Sequence, residues 1–494
     1  MKKAKLLVMA LCLSLALTGS FSFACSAVYV GKDASTDGTT IIARSEDQGS
    51  GAYNKMFEVV PASNKAGRFM VDTGEEQKGF KVALPKKTYR YYQIPDYSKA
   101  GDGTYPGACT NEYGMSITGT VTAYPSKKFG EADPFVVPGL REAILPGLIA
   151  CQSKTAKEGV EKMAKLIDKY GSEEGNVLML ADRNEAWIFE IYGGHQYAAM
   201  KMPTDAVAVF GNQFMIGTVD PADNENYLFS KELFETIKKA GTEVKENDKI
   251  HLAKSIAEPR GEYSNMRTWR GHRLLAPSSI DADYKNDEFY PLFYKPDAKV
   301  SPLKVMDIFR DRYEDTEFDM NKSGNEKRRP IGTPRQSQIH IMQVMKDMPK
   351  ETSTLMWLAM GNAEHSVFVP FYSGITKTPK AYRVDGEDYD KDGAYWKFKR
   401  ICGIGASDRA LYSKGIKDFW KAQEEKMYES IMAEKSNIKK AFKKGNKAGS
   451  KYVNKLGFKY ANRQLKNSEE LFSRLLSVFI NNQNDRPDKK NVFK

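Results

Sequence analysis

The sequence predicts an α+β protein in which strands come first and helices gather in groups. Two observations carry this. From Cys25 to about residue 220, short β-branched and aromatic runs follow one another, each bounded by Gly, Pro, Asn or Asp. Helical spacing takes over in an insertion at 139–170 and again after about residue 405. A doubly wound parallel fold would alternate strand and helix throughout, and that alternation is missing. With 494 residues, 41% hydrophobic and 28% charged, the chain can bury one large core with additions, or two cores.

The amino end reads as an export signal. MKKAK supplies a basic start, LLVMALCLSLAL an apolar run too short for a comfortable membrane span, and Ser22 and Ala24 the small residues that precede a cut. Residues 1–24 are therefore expected to be a signal peptide, the mature chain to begin at Cys25, and the product to be exported to a periplasmic or extracellular space. A lipoprotein signal also ends at a cysteine, but usually carries Leu three places earlier, where this chain has Ser22. Lipid anchoring is thus the less favoured reading. No later stretch approaches about 20 unbroken apolar residues, so no membrane span is expected.

The elements then follow in order. SAVYVG and TTIIAR read as two strands joined through a turn-rich loop around Asp37 and Gly38, so 26–44 forms a hairpin whose open ends are neighbours. MFEVVPA, MSITGTVTA, NVLMLAD, EAWIFEIYG and AVAVFGNQFMI continue in the same style. Between them, 139–170 shows helical spacing interrupted by Pro146 and suggests two helices packed on a sheet. KELFETIKKA and SIAEP are short helical pieces, and 280–335 is loop-rich and strongly charged. Strands return at QIHIMQVM, STLMWLAMG and HSVFVPFYSG. The expected organisation is a main domain over 25–400 and a helical, basic region over 401–494, its apolar stripe packed on the body and its lysines outward. A Gly- and Lys-rich break is expected over 445–461.

Several chemistries find little support. Five cysteines (Cys12, Cys25, Cys109, Cys151, Cys402) form no CxxC, and the histidines (His195, His251, His272, His340, His365) show no HxxxH or HExxH spacing, so no metal site is expected. There is no GxGxxG and no phosphate-loop pattern, so no cofactor is expected either. The formal charge of +12 concentrates in the last quarter of the chain and reads as a solvated face rather than a nucleic-acid surface.

What remains is Cys25 itself. A thiol attacks an acyl carbon as thiolate, and a free cysteine near pKa 8.5 is mostly protonated at neutral pH. An α-amino group titrates near 7.7 to 8.0, so on the first residue of a folded chain it can take the thiol proton. Such a site also needs a cation to favour the thiolate, a carboxylate to hold the ammonium, and donors for the oxyanion. ARSEDQ ends the return arm of the hairpin and brings Arg44 and Asp47 back towards Cys25.

CSAVYVGKDASTDGTTIIARSEDQ resembles the opening of the cysteine-type dipeptidases of the N-terminal-nucleophile hydrolase superfamily, which are related to secernins and more distantly to penicillin V and bile-salt acylases. TNEYGMSITGTVT, EGNVLMLADRNEAWIFEIYGGHQYAA, AVFGNQFMI, YSNMRTWR and WLAMGNAEHSVFVPFYSGITKTPKAY resemble later blocks of that family in the same order. The resemblance implies a four-layer αββα sandwich. It implies Cys25 as nucleophile, Arg44 favouring the thiolate, Asp47 holding the amino group, and Asn111 binding the oxyanion through its side chain and backbone NH. Asn212 would position the substrate amide. Arg267 is the best match to a distal arginine near the nucleophile, with Arg270 the competing choice. A turn would equally explain Asn111 and Asn212.

The function expected is an exported cysteine peptidase that cleaves dipeptides through a thioester. An acyl-amide hydrolase on the same fold is a second reading, and a non-catalytic envelope lipoprotein anchored through Cys25 a third. The expected partner is a small peptide or amide substrate, with no nucleic acid; a homo-oligomer is left open.

Overall fold

A computed structural model describes residues 25–48, 53–75, 79–119 and 121–482. The expected signal cleavage falls on 1–24, outside the described residues. Two large antiparallel sheets dominate the rest. The six-stranded sheet runs in the order Val207–Phe210, Ser26–Val30, Thr40–Asp47, Gln336–Val344, Thr354–Met360, Val369–Tyr372. The other, nine-stranded, has Asn176–Ala181 and Ala186–Ile191 at its centre, and Ser116–Thr118, Ala108–Asn111 and Tyr91–Gln93 to one side.

Strand alternation explains the layers. Along Asn176–Ala181, Val177, Met179 and Ala181 join the core shared with the six-stranded sheet, whereas Leu178 and Leu180 join a second core on the opposite face. That second face is covered by the helices Leu145–Ala150 and Ala156–Tyr170, which contribute Leu148, Val160, Met163 and Ile167. The outer side of the six-stranded sheet is covered by Glu262–Leu275 and by the C-terminal helices. The architecture is therefore αββα, as expected. Thr155 starts the longer outer helix by accepting from the Glu158 N–H at 3.1 Å.

The opening hairpin forms as read. Ser26–Val30 pairs with Thr40–Asp47, and between them the Asp37 carboxylate accepts from the Thr39 hydroxyl at 2.6 Å while Gly38 takes φ +71°, a conformation that favours glycine. Three departures have simple causes. Pro146 does not separate the two helices of 139–170; it lies in the first turn of Leu145–Ala150, where its missing N–H costs nothing, and the separation comes at 151–155. Gly445 (φ +112°) interrupts the tail for only a residue or two, and a single helix then runs Asn446–Asn482, straight through the expected break. The strands Tyr91–Gln93 and Ala108–Asn111 had no counterpart among the expected elements; both are short and gain their order from the sheet around them.

The helical region begins at Ala394 and is anchored by its apolar stripe: Trp420, Ile431, Val453 and Leu456 share a core with Trp357 and Phe371. A buried latch adds direction, since Glu424 accepts from Arg310 at 2.7 Å and from the Phe368 N–H at 2.9 Å.

Candidate active site

Cys25 sits immediately before the first strand and is fully buried. Because the hairpin pairs Ala27 with Arg44 and Ser26 with Ser45, the end of the return arm lies beside Cys25. Arg44 uses this position: its Nη2 donates to Cys25 Sγ at 3.0 Å and to the Tyr105 hydroxyl at 3.3 Å, and its Nη1 reaches the Gly107 carbonyl at 3.4 Å and Glu46 at 3.5 Å. The guanidinium is packed so closely that a Cβ on Gly119 would stand 2.8 Å from Nη1. Behind it, Glu46 accepts from Lys55 at 2.8 Å, and Lys55 in turn pairs with Asp96, so the charges at this depth are compensated.

Burial pushes the Cys25 thiol up to about 12; Arg44 pulls it down, Asp47 and Glu142 push it up, and the Asp47 backbone N–H favours the thiolate. Asp47 is fully buried. Its Oδ2 pairs with Arg329, while Oδ1 has no hydrogen-bond partner. Burial holds this carboxyl above the usual range, against the pull of Arg329 and Arg267.

The helix Glu262–Leu275 delivers the other arginine. Arg267 Nη1 donates to the Cys25 carbonyl at 2.5 Å and to Ser26 Oγ at 3.0 Å, and Nη2 donates to Asn212 Oδ1 at 3.0 Å. Burial and the neighbouring Arg329 lower its pKa to about 10. Gly211, next to Asn212, is required by this approach, since a Cβ there would lie 2.7 Å from Nη2. Asn212 also donates to the Thr122 carbonyl at 3.0 Å and lines a cavity of about 150 Å3 with Tyr124, Glu258, Arg260 and Tyr263. Arg270 points elsewhere, forming a two-pronged pair with Asp311 at 2.7 to 3.0 Å. Of the two arginines, Arg267 contacts Cys25 and Arg270 contacts Asp311.

Asn111 does not join this group, and the oxyanion role expected for it is corrected. Along Ala108–Asn111, Ala108 lies in the inter-sheet core and Cys109 in the outer one, so Asn111 shares the outer face, away from Cys25. Its side-chain amide donates to the carbonyls of Ala150 (2.9 Å) and Ser153 (2.6 Å), Oδ1 accepts from the N–H groups of Tyr113 and Met115, and its own N–H donates to the Met115 carbonyl. Every polar group is spent on holding the turn before Gly114, which is the turn reading of this residue.

Three residues at the site were not expected. Tyr105 bridges Arg44 to Glu142, donating to Glu142 Oε1 at 2.5 Å. Glu142 comes from the approach to an outer helix, and Arg329 from the charged 280–335 segment, where it is one of many cations. Neither carried a signal that would set it apart from a solvated charge.

Comparison with known proteins places this geometry in a family. The model of Peptidase family C69 matches residues 24–422. A probable dipeptidase B of Streptococcus pyogenes serotype M1 is 33% identical over 434 residues, 83% of this chain and 86% of its own. A probable dipeptidase of Latilactobacillus sakei is 30% identical over 81% of this chain and 85% of its own, and dipeptidase A of Lactobacillus helveticus 28% identical over 79% and 83%. Among solved structures, a mutant conjugated bile acid hydrolase of Clostridium perfringens aligns with 70% of this chain and 92% of its own at TM-score 0.31 and 11% identity, too remote to bear on function. The chain belongs to peptidase family C69.

Proposed function

We propose that this protein is an exported cysteine dipeptidase whose nucleophile is Cys25, exposed as the first residue when 1–24 are removed. The observation that carries the reading is the set of contacts on Cys25: Arg44 on its sulfur, Arg267 on its carbonyl, and next to it a buried Asp47 with one oxygen unpartnered. An unpaired buried carboxylate oxygen is costly, and the α-ammonium of a processed Cys25 is the partner that would satisfy it. The related dipeptidases supply the substrate class.

The chemistry follows from those contacts. The free α-amine takes the thiol proton, Arg44 stabilises the thiolate, and the sulfur attacks the peptide carbonyl. Asn212, itself held by Arg267 and Thr122, orients the substrate amide. Collapse of the tetrahedral intermediate breaks the C–N bond, the ammonium gives its proton to the leaving amino acid, and water hydrolyses the thioester with the amine again as base. Removal of 1–24 is then the activating step, because it supplies the base that a thiol pushed up to about 12 lacks.

The lipid-anchor reading is disfavoured by burial, since a diacylated Cys25 would have to leave the position where Arg44 holds its sulfur. N-terminal sequencing and the intact mass of the mature protein test the reading: an unmodified Cys25 amine is expected, and a lipid adduct overturns it. Cys25→Ser is expected to lower kcat by more than about 1,000-fold on dipeptides with folding retained; unchanged hydrolysis would remove Cys25 from its assigned role.

A further inference from the structure

Glu142, whose charge acts on Cys25, has no part in the proposed mechanism. It is 5% exposed, and its Oε2 is buried with no hydrogen-bond partner. Oε1 is fixed by the Tyr105 hydroxyl at 2.5 Å, that hydroxyl lies 3.3 Å from Arg44 Nη2, and the same nitrogen lies 3.0 Å from Cys25 Sγ. The carboxyl is therefore attached to the nucleophile by hydrogen bonds in series, with one oxygen left over. Its position is built from below as well, because its own N–H donates to Glu174 Oε1 at 2.7 Å and the preceding Arg141 is clamped on Asp72.

A dipeptide brings one cation to this place. Its α-ammonium nitrogen is separated from the scissile carbonyl carbon by a single Cα, a distance of about 2.5 Å. A group that binds the ammonium must consequently lie within a few bonds' reach of the attacking sulfur. Arg44 already occupies that neighbourhood with a positive charge, so an incoming ammonium needs a carboxylate there to be tolerated.

We propose that Glu142 Oε2 receives the α-ammonium of the substrate, and that this contact restricts the site to peptides with a free amino end. The assignment rests on Cys25 being the nucleophile. Acyl amides, which lack the ammonium, would leave Glu142 unpaired, so the residue separates the dipeptide reading from the acyl-amide one. A pH dependence follows. Burial, Glu174 and Glu46 hold the Glu142 carboxyl well above the ordinary carboxylate range, against Arg44 and the Tyr105 hydrogen bond; Cys25 and Tyr124 are the other titratable groups that face it. The shift favours the protonated acid in the empty site, and ammonium binding, which needs the carboxylate, works against it. KM for dipeptides should therefore fall as pH rises, until the substrate amine itself loses its proton near about 8.

The test uses the mature enzyme, alanyl-alanine, and propionyl-alanine, which is the same molecule without the amino group. Wild type is expected to prefer alanyl-alanine. Glu142→Gln should lose about 10- to 100-fold in kcat/KM on alanyl-alanine, mostly through KM, so that the preference for alanyl-alanine over propionyl-alanine falls by about the same factor and the pH dependence of KM flattens. An equal loss on both substrates through kcat alone would make Glu142 a positioning residue for Tyr105 and Arg44, or for the Cys25 amine, and would overturn the proposal. An unchanged preference would overturn it too. If Glu142→Gln does not fold, Glu142→Asp, which withdraws the charge by one methylene, should raise KM for alanyl-alanine and lower the preference for it over propionyl-alanine; an unmoved KM overturns the assignment. A wild-type enzyme that hydrolyses neither substrate refutes the nucleophile reading, and this one with it.

Discussion

Two regions of the molecule gather cations, and they do so in opposite ways. Around Cys25, Arg44 and Arg267 are fully buried and each is aimed at an atom of that residue. Across the fold, the helix Asn446–Asn482 and the sheet edge bound a far larger cleft, about 1290 Å3, into which Lys87, Lys350, Lys377, Lys451 and Lys455 project with exposed side chains. The smaller group holds fewer charges, each matched to a partner atom. A solvated ammonium is screened within about 8 Å at physiological salt, whereas a buried guanidinium keeps its field and must be matched atom by atom. Counting charges or measuring volume would choose the cleft; desolvation and partner geometry choose Cys25.

The comparison can be broken first at Arg44. Arg44→Gln removes the cation from Cys25 Sγ while Glu46 keeps Lys55 as its counter-ion. We expect kcat/KM on dipeptides to fall about 100-fold, and the rate of Cys25 alkylation at neutral pH to fall with it. Equal alkylation rates in the two proteins would mean that the guanidinium does not favour the thiolate.

A smaller effect separates two arginines on one helix. Arg267→Lys loses the fork that joins Cys25, Ser26 and Asn212, and should lower kcat/KM about 10-fold. Arg270→Lys weakens only the pair with Asp311, and should cost about 1 to 2 kcal/mol of stability in urea titration, with kcat/KM within about twofold of wild type. The reverse pattern would reassign the site arginine.

These residues also mark how far the sequence could be read. Cys25, Arg44 and Asp47 were legible together because a hairpin returns its far arm to its start, a local rule that needs no knowledge of the rest. Arg267 and Arg270 were not separable, since positions three apart share a helix face and only the packing shows which one reaches Cys25. Arg329 and Glu142 were invisible: both lie outside regular elements, and their positions depend on the folded body rather than on neighbours in sequence. Asn111 was misread because Ala108–Asn111 was not recognised as a strand, and its alternation is what turns the side chain outward. Asn111→Ala should cost about 2 to 4 kcal/mol through the carbonyls and N–H groups it leaves unpaired, while the folded fraction keeps its kcat/KM. A specific loss of kcat at unchanged stability would restore the oxyanion role.

The smallest effect is expected in the cleft. Lys451→Gln with Lys455→Gln removes two of its positive charges from the exposed side of Asn446–Asn482, where the buried stripe of Val453 and Leu456 is untouched. Solvated lysines of this kind typically contribute within about 0.5 kcal/mol, so the melting midpoint should barely move. Dipeptide kcat/KM should stay within about twofold at physiological salt, because two screened charges across the fold change the potential at a buried sulfur very little. A fall comparable to that of Arg267→Lys would show that the lysine field reaches Cys25, and the contrast between solvated and buried cations would no longer hold for this molecule.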